Sequence, residues 1–180
     1  MRFLPVEICF ESLTYNSGVD ALEFKDFMAK VPTCVAVVAS LLAEDIHACT
    51  VSSLTSFDIE DPGVLIVLKN NSRTLQAIKQ SRNFSVSILS NGQVDLAEHF
   101  AAKEKDLDVD GGQYFEKLSQ ISIPYLKSCQ GIVFCELVKV EELKNASIVF
   151  GRVLGIMNLE TDSPLIYSNR KFFTLGQSLT

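Results

Sequence analysis

Short apolar, β-branched segments recur along the whole chain, and the stretches between them are too brief for full crossover helices. TCVAVVASLL (33–42), CTVSSLTSF (49–57), GVLIVLK (63–69) and FSVSILS (84–90) each have the composition of a strand. GIVFCELVKVEEL (131–143) and SIVFGRVLGIMNL (147–159) read as a long hairpin turning near Lys144 and Asn145, and PLIY and KFFTL add two short strands. AEDIHA and EDPG read as turns. A doubly wound parallel sheet needs a helix of about 10–15 residues after nearly every strand. Here the helical patterns are few. VDALEFKDFMAK can be capped by Asp20, with Glu23 three residues later, presents Leu22, Phe27 and Met28 on one face, and stops at Pro32. TLQAIKQ follows Ser72 as a cap, and GQVDLAEHFA is a third short helix; the charged, Gly-containing run from Lys103 to Gln113 reads as a surface loop. The expectation is a mainly β fold, a closed or nearly closed β-barrel with short helices.

The chain has 180 residues, 47% of them hydrophobic, which suits one domain with a real core and is short for two. Its net charge of −6 argues against nucleic-acid binding, which needs a basic stripe to displace counterions. No apolar run approaches the ~18 residues of a membrane span, and MRFLPVEICFESL lacks the pattern of a signal peptide, so no membrane and a cytoplasmic location are expected. The five cysteines form no C-x-x-C, and His47 and His99 are far apart, so no metal site is expected. The cysteines read as reduced and mostly as small core residues.

TVSSLTSF (50–57) carries five hydroxyl side chains in eight residues. Laid out as one strand, Thr50, Ser52, Leu54 and Ser56 share one face and Val51, Ser53, Thr55 and Phe57 the other, so neither face is cleanly apolar. A solvated edge and a ligand-facing strand both explain this. In NNSRTLQAI, Ser72 is a good N-cap, and the amides after it open the positive end of a helix. The start is either an ordinary cap or a phosphate seat that adds Arg73 and the Ser72 and Thr74 hydroxyls. The order of the segments lets both donor sets reach one ligand.

FKDFMAKVPTCVAVVAS, TVSSLTSFDIEDPGVLIVLKNNSRTLQAI, NFSVSILSNGQVDLAEHFA, IVFGRVLGI and PLIY, taken in that order, resemble the flavin reductase-like family. Its fold is the FMN-binding split β-barrel, and its members include reductase components of two-component flavin monooxygenases. The similarity runs from about Phe24 to Leu175 within a single domain of residues 1–180. Residues 1–20 form an extension of unknown role, whose Phe3, Leu4, Ile8 and Phe10 favour docking over disorder. The resemblance implies an oxidoreductase passing a hydride from NADH or NADPH to bound flavin, FMN before FAD. It also implies a homodimer and a partner oxygenase that receives reduced flavin; a flavin-binding carrier or sensor without turnover is the alternative. By position, Thr50, Ser52 and Ser53 fall where the family meets the ribityl and phosphate. Lys69, Ser72, Arg73 and Thr74 fall at the phosphate-side loop, and Phe100 and Ala101 beside the flavin. No catalytic residue is assigned. Ala48, Gly63 and Ala146 stand where many members have Gly, a second Pro and His. His47 and His99 read as surface residues.

Overall fold

The computed structural model describes residues 19–102, 111–118, 122–159 and 163–178. Most of the N-terminal extension and most of the charged run after Lys103 lie outside these residues. In chain order the elements are α1 (Ala21–Met28), β1 (Thr33–Cys34), β2 (Ala36–Leu42), β3 (Asp45–Val51), β4 (Thr55–Asp58), β5 (Gly63–Lys69), α2 (Arg73–Ser81) and β6 (Asn83–Ile88). They continue as α3 (Val94–Ala101), α4 (Gly111–Tyr114), β7 (Phe115–Leu118), β8 (Ile123–Leu126), β9 (Gly131–Glu142), β10 (Ala146–Asn158), β11 (Leu165–Ser168) and β12 (Lys171–Thr174). The architecture is mainly β, as the segment pattern requires. Among the described residues no helix is long and apolar enough to cross a membrane.

Seven strands form an antiparallel sheet in the order β3-β2-β6-β9-β10-β5-β4. The sheet curls until β3 reaches β5 without a ladder between them. Ser53, just past β3, takes the place of ladder bonds: its Oγ accepts from the Val67 amide at 2.9 Å and donates to the Val67 carbonyl at 3.3 Å. This seam, held by a side chain, is compatible with a split barrel. β1, β11 and β12 form a separate three-stranded sheet, and β7 and β8 pair with each other. Asn169 and Arg170, both left-handed at φ 48° and 60°, make the tight turn between β11 and β12.

β2 is buried on both faces, which is why its sequence is an unbroken apolar run. Val37 and Ala39 join a core with Ala48, Phe100 and Phe134. Ala36 and Val38 join another with Val51, Ile66, Leu75, Ile78 and Phe84. Leu75 and Ile78 carry α2 onto that second core, and Ala97 and Phe100 carry α3 onto the first. Gly151 lets β10 pass over Phe84: a Cβ there would stand 2.5 Å from the ring.

Several sequence expectations need correction. CTVSSLTSF is two strands, because β3 pairs with β2 only as far as Val51 while β4 pairs with β5. The chain must cross between sheet edges at Ser52–Leu54, so the two-faced reading of residues 50–57 does not hold. The AEDIHA turn shrinks to Ala43 and Glu44, with Ala43 at φ 56°, and its remainder opens β3. TCVAVVASLL divides at Val35, and β1 joins the smaller sheet. The β7–β8 hairpin is an addition to the expected strands, and α4 replaces the end of the expected loop. α1 forms on its Asp20 cap, yet buries none of its residues among the described chain.

Candidate functional site

The seam opens into a cleft of about 940 Å³. This lies within the range of small-molecule and cofactor sites. Four pieces of chain wall it: β3 and the crossing after it (His47 to Ser53), the end of β5 (Val67 to Lys69), the start of α2 (Asn71 to Thr74) and the end of α3 (Phe100 to Ala102). All nine residues singled out in the sequence line this one cleft: Thr50, Ser52 and Ser53 on one rim, Lys69, Ser72, Arg73 and Thr74 on the other, and Phe100 and Ala101 from α3. The two rims meet because β3 and β5 are brought edge to edge, although β4 and its flanking turns intervene in the chain.

The hydroxyls are not equivalent. Thr50 Oγ1 donates to the Ala97 carbonyl at 2.7 Å, which ties β3 to α3. Ser53 spends its proton on Val67. A hydroxyl has one proton, so in this arrangement neither can also donate to an anion; each can still accept. Ser72 Oγ accepts from the Leu75 amide at 3.4 Å, a bond that does not use its own proton. Ser52 is exposed on the rim. Thr74 is buried at 3% exposure yet lines the cleft.

The start of α2 supplies further donors. The Arg73 and Thr74 amides occupy the first two helical positions and have no carbonyl behind them within the helix. Lys69 and Arg73 add positive charge, and among the described residues the lining has no carboxylate. A protein of net charge −6 thus presents a locally cationic, amide-rich end of one cleft. Val51, Val67, Leu68 and Phe100 give the rest of the lining an apolar character.

His47 is the residue the sequence reading misplaced. It lies in β3, is buried at 9% exposure and lines the cleft. Nδ1 is shielded from solvent and has no hydrogen-bond partner among the described residues. An orphaned buried polar atom of this kind costs about 1–3 kcal/mol. Burial pushes the imidazole pKa down, Asp45 raises it in part, and the Arg73 charge lowers it further. Reading IHACTV as a strand would have placed His47 on the same face as the buried Val51. His99 is exposed on α3, its ring against Phe100 and Tyr114, and is not part of the lining. Ala146 pairs with Lys69 and so borders the cleft's β5 rim. Among the described residues no group of three or more His, Cys, Asp or Glu side chains could hold a metal ion.

Known proteins share this arrangement of chain. The flavin reductase like domain matches residues 28–176. A flavin reductase (NADPH) of Lentzea aerocolonigenes is 30% identical over 87% of this chain and 91% of its own. The reductase component of 4-hydroxyphenylacetate 3-monooxygenase from Thermus thermophilus is 26% identical over 83% of this chain and 93% of its own. A flavin reductase solved in its native state superposes with a TM-score of 0.78 at 27% identity, covering 88% of this chain and all of that one.

Proposed function

Because the chain belongs to the flavin reductase-like family, we propose that it is an NAD(P)H-dependent flavin reductase whose seam cleft holds the flavin. The observation that carries the reading is the convergence of both predicted donor sets on one cleft with a cationic end. The donor chemistry fits. A flavin mononucleotide is a flat ring, a polyol and a phosphate, and the cleft offers an apolar wall, hydroxyl-rich rims and an anion seat.

The Arg73 and Thr74 amides, the Ser72 hydroxyl and the Arg73 guanidinium would hold the phosphate, with Lys69 adding charge. Thr50 and Ser53 would accept from the polyol, and Ser52 would complete that rim. Phe100 and Ala101 would lie beside the flavin and shield it from water. The bound flavin supplies the redox chemistry, accepting a hydride from the nicotinamide. The chain's task is then to bind and orient, and no acid or base side chain is required for the hydride itself. FMN is favoured over FAD because, among the described residues, the cationic lining is confined to Lys69 and Arg73, which suits one compact anion.

A second copy of the chain is the natural cover for α1, whose Leu22, Phe24, Phe27 and Met28 are all exposed. Reduced flavin would pass to a partner oxygenase in the cytoplasm. Ala146, small and apolar beside Lys69, favours one second reading, a flavin carrier or sensor without turnover. An absorbance spectrum of the purified protein with FMN, taken before and after adding NADH or NADPH under argon, separates the two. Bleaching of the flavin band on the stopped-flow time scale supports the reductase. A bound flavin that neither nucleotide bleaches supports the carrier, and failure to bind FMN or FAD removes both.

A further inference from the structure

Lys69 and Asn71 line the cleft, whereas Asn70 between them spends its side chain on the turn that joins β9 to β10. Its Nδ2 donates to the Leu143 carbonyl at 2.8 Å, and its Oδ1 accepts from the Ser147 hydroxyl at 2.8 Å. Its backbone amide donates to the Asn145 carbonyl at 3.4 Å. A carbonyl can only accept, so the Leu143 bond fixes which way the Asn70 amide group faces. We propose that Asn70 is a positioning residue for the anion seat, tying to the β9–β10 turn the loop that presents Ser72 and the Arg73 and Thr74 amides. This rests on the flavin reading above and adds to it a residue outside the cleft.

The loop is short. Asn70, Asn71 and Ser72 alone join β5 to α2. The Ser72 amide donates to the Lys69 carbonyl at 3.0 Å, which makes the loop a tight turn, and Ser72 then caps the helix. The last rung of β5 on β10 sets Lys69 opposite Ala146. Asn70 carries the pairing one residue further, to the point where the chain leaves the sheet for the helix. The β9–β10 turn is a firm anchor. The Leu143 amide closes it on the Ala146 carbonyl at 2.8 Å, and strands of 12 and 13 residues run into and out of it.

Several donors hold one anion well only when all are aligned, to within about 0.5 Å and roughly 10–20°. A loop cut loose from the β9–β10 turn would lose part of that alignment. Thr50, Ser52 and Ser53 and the Phe100 ring belong to other segments of the chain. Contacts to the flavin ring and polyol should therefore be spared, and the loss should fall on the phosphate.

The clamp lets stability and positioning be read apart. Ser147 is fully buried, so Asn70→Ala takes the acceptor from a buried hydroxyl and should lower Tm. The double variant Asn70→Ala/Ser147→Ala removes the hydroxyl as well and should regain part of that Tm, because no buried polar group is left behind. FMN binding should not recover with it. Fluorescence titrations with FMN and riboflavin, beside thermal melts, read both properties. The ratio of FMN to riboflavin affinity should fall roughly tenfold in both variants, the worth of about one bond to a charged group. Ser147→Ala alone keeps the Leu143 bond and should lose less. A ratio within about twofold of wild type in the single and double Asn70 variants would overturn the proposal and leave the flavin reading intact. A ratio that returns together with Tm in the double variant would overturn it too, since Asn70 would then serve only the fold. Wild type that binds neither flavin would overturn both.

Discussion

Replacing Ser72 with aspartate separates two jobs that serine does at once. As a cap, Ser72 holds an extended backbone (φ −73°, ψ 130°) and accepts from the Leu75 amide. Aspartate caps as well as serine does, and its charge complements the helix's positive end by about 0.3–1 kcal/mol. The fold should therefore survive, with Tm unchanged or up by about 1–4 °C. As an anion contact, Ser72→Asp loses a proton donor worth roughly 1.5–3 kcal/mol toward a charged group. It also sets a carboxylate about 5 Å from a phosphate dianion. At effective dielectric constants of about 80 to 20, that repulsion is roughly 2–7 kcal/mol. Even the lower ends sum to about 3 kcal/mol, a loss of more than about a hundredfold in FMN affinity. Riboflavin, lacking the phosphate, should bind the variant and the wild type alike. Raising NaCl to ~1 M should recover part of the FMN loss, because it shortens the screening length to about 3 Å. Fluorescence titration with both flavins, beside a thermal melt, reads all of this. A Ser72→Asp protein of normal Tm that binds FMN within about threefold of wild type would refute the reasoning, because the phosphate could not then be at this helix.

Gly151→Ala should lower Tm by roughly 3–10 °C, since its Cβ would press on the fully buried Phe84 ring and on Cys135. Gly63→Ala meets the Phe57 ring at a similar 2.4 Å, but that side chain is half exposed and can swing away, losing mainly its edge contact with Phe150. It should cost only about 1 kcal/mol, and equal melting losses for the two variants would contradict this. Thr50→Val removes the hydroxyl bond that ties β3 to the Ala97 carbonyl and should destabilise by about 0.5–1.5 kcal/mol, with FMN affinity changed less than about threefold. A large affinity loss at constant Tm would show that Thr50 donates to the ligand instead. Burial pushes the Cys129 thiol up to about 11 and the Cys135 thiol to about 12. At pH 8 their thiolate fractions are about one thousandth or less, so a thiol reagent should label neither until the protein is unfolded. Mass-spectrometric mapping of rapid native labelling at either would disprove it.

The parts of the fold legible in the sequence are those whose local pattern agrees with their tertiary surroundings. β2 reads as a buried strand because both its faces are covered, and β9–β10 reads as a hairpin because each strand is long and a turn parts them. The start of α2 was legible for the same reason, since a cap followed by an apolar face is a local signal. The break at Ser52–Leu54 carries no Gly or Pro. Only the sheet order explains it, through pairing with different strands on either side. β7 and β8 are four residues each, too short to show a period. The uses of the Thr50 and Ser53 protons depend on Ala97 and Val67, partners that folding alone brings near. His47 was hidden because an acidic turn runs directly into its strand, which disguises the first buried position of β3.

The most direct test of the central claim is a co-crystal structure with FMN. Phosphate density within hydrogen-bond distance of the Arg73 and Thr74 amides and the Ser72 hydroxyl, with the ring in the seam between β3 and β5, is the predicted result. FMN bound elsewhere, or bound in the cleft with its phosphate directed away from the start of α2, would contradict it.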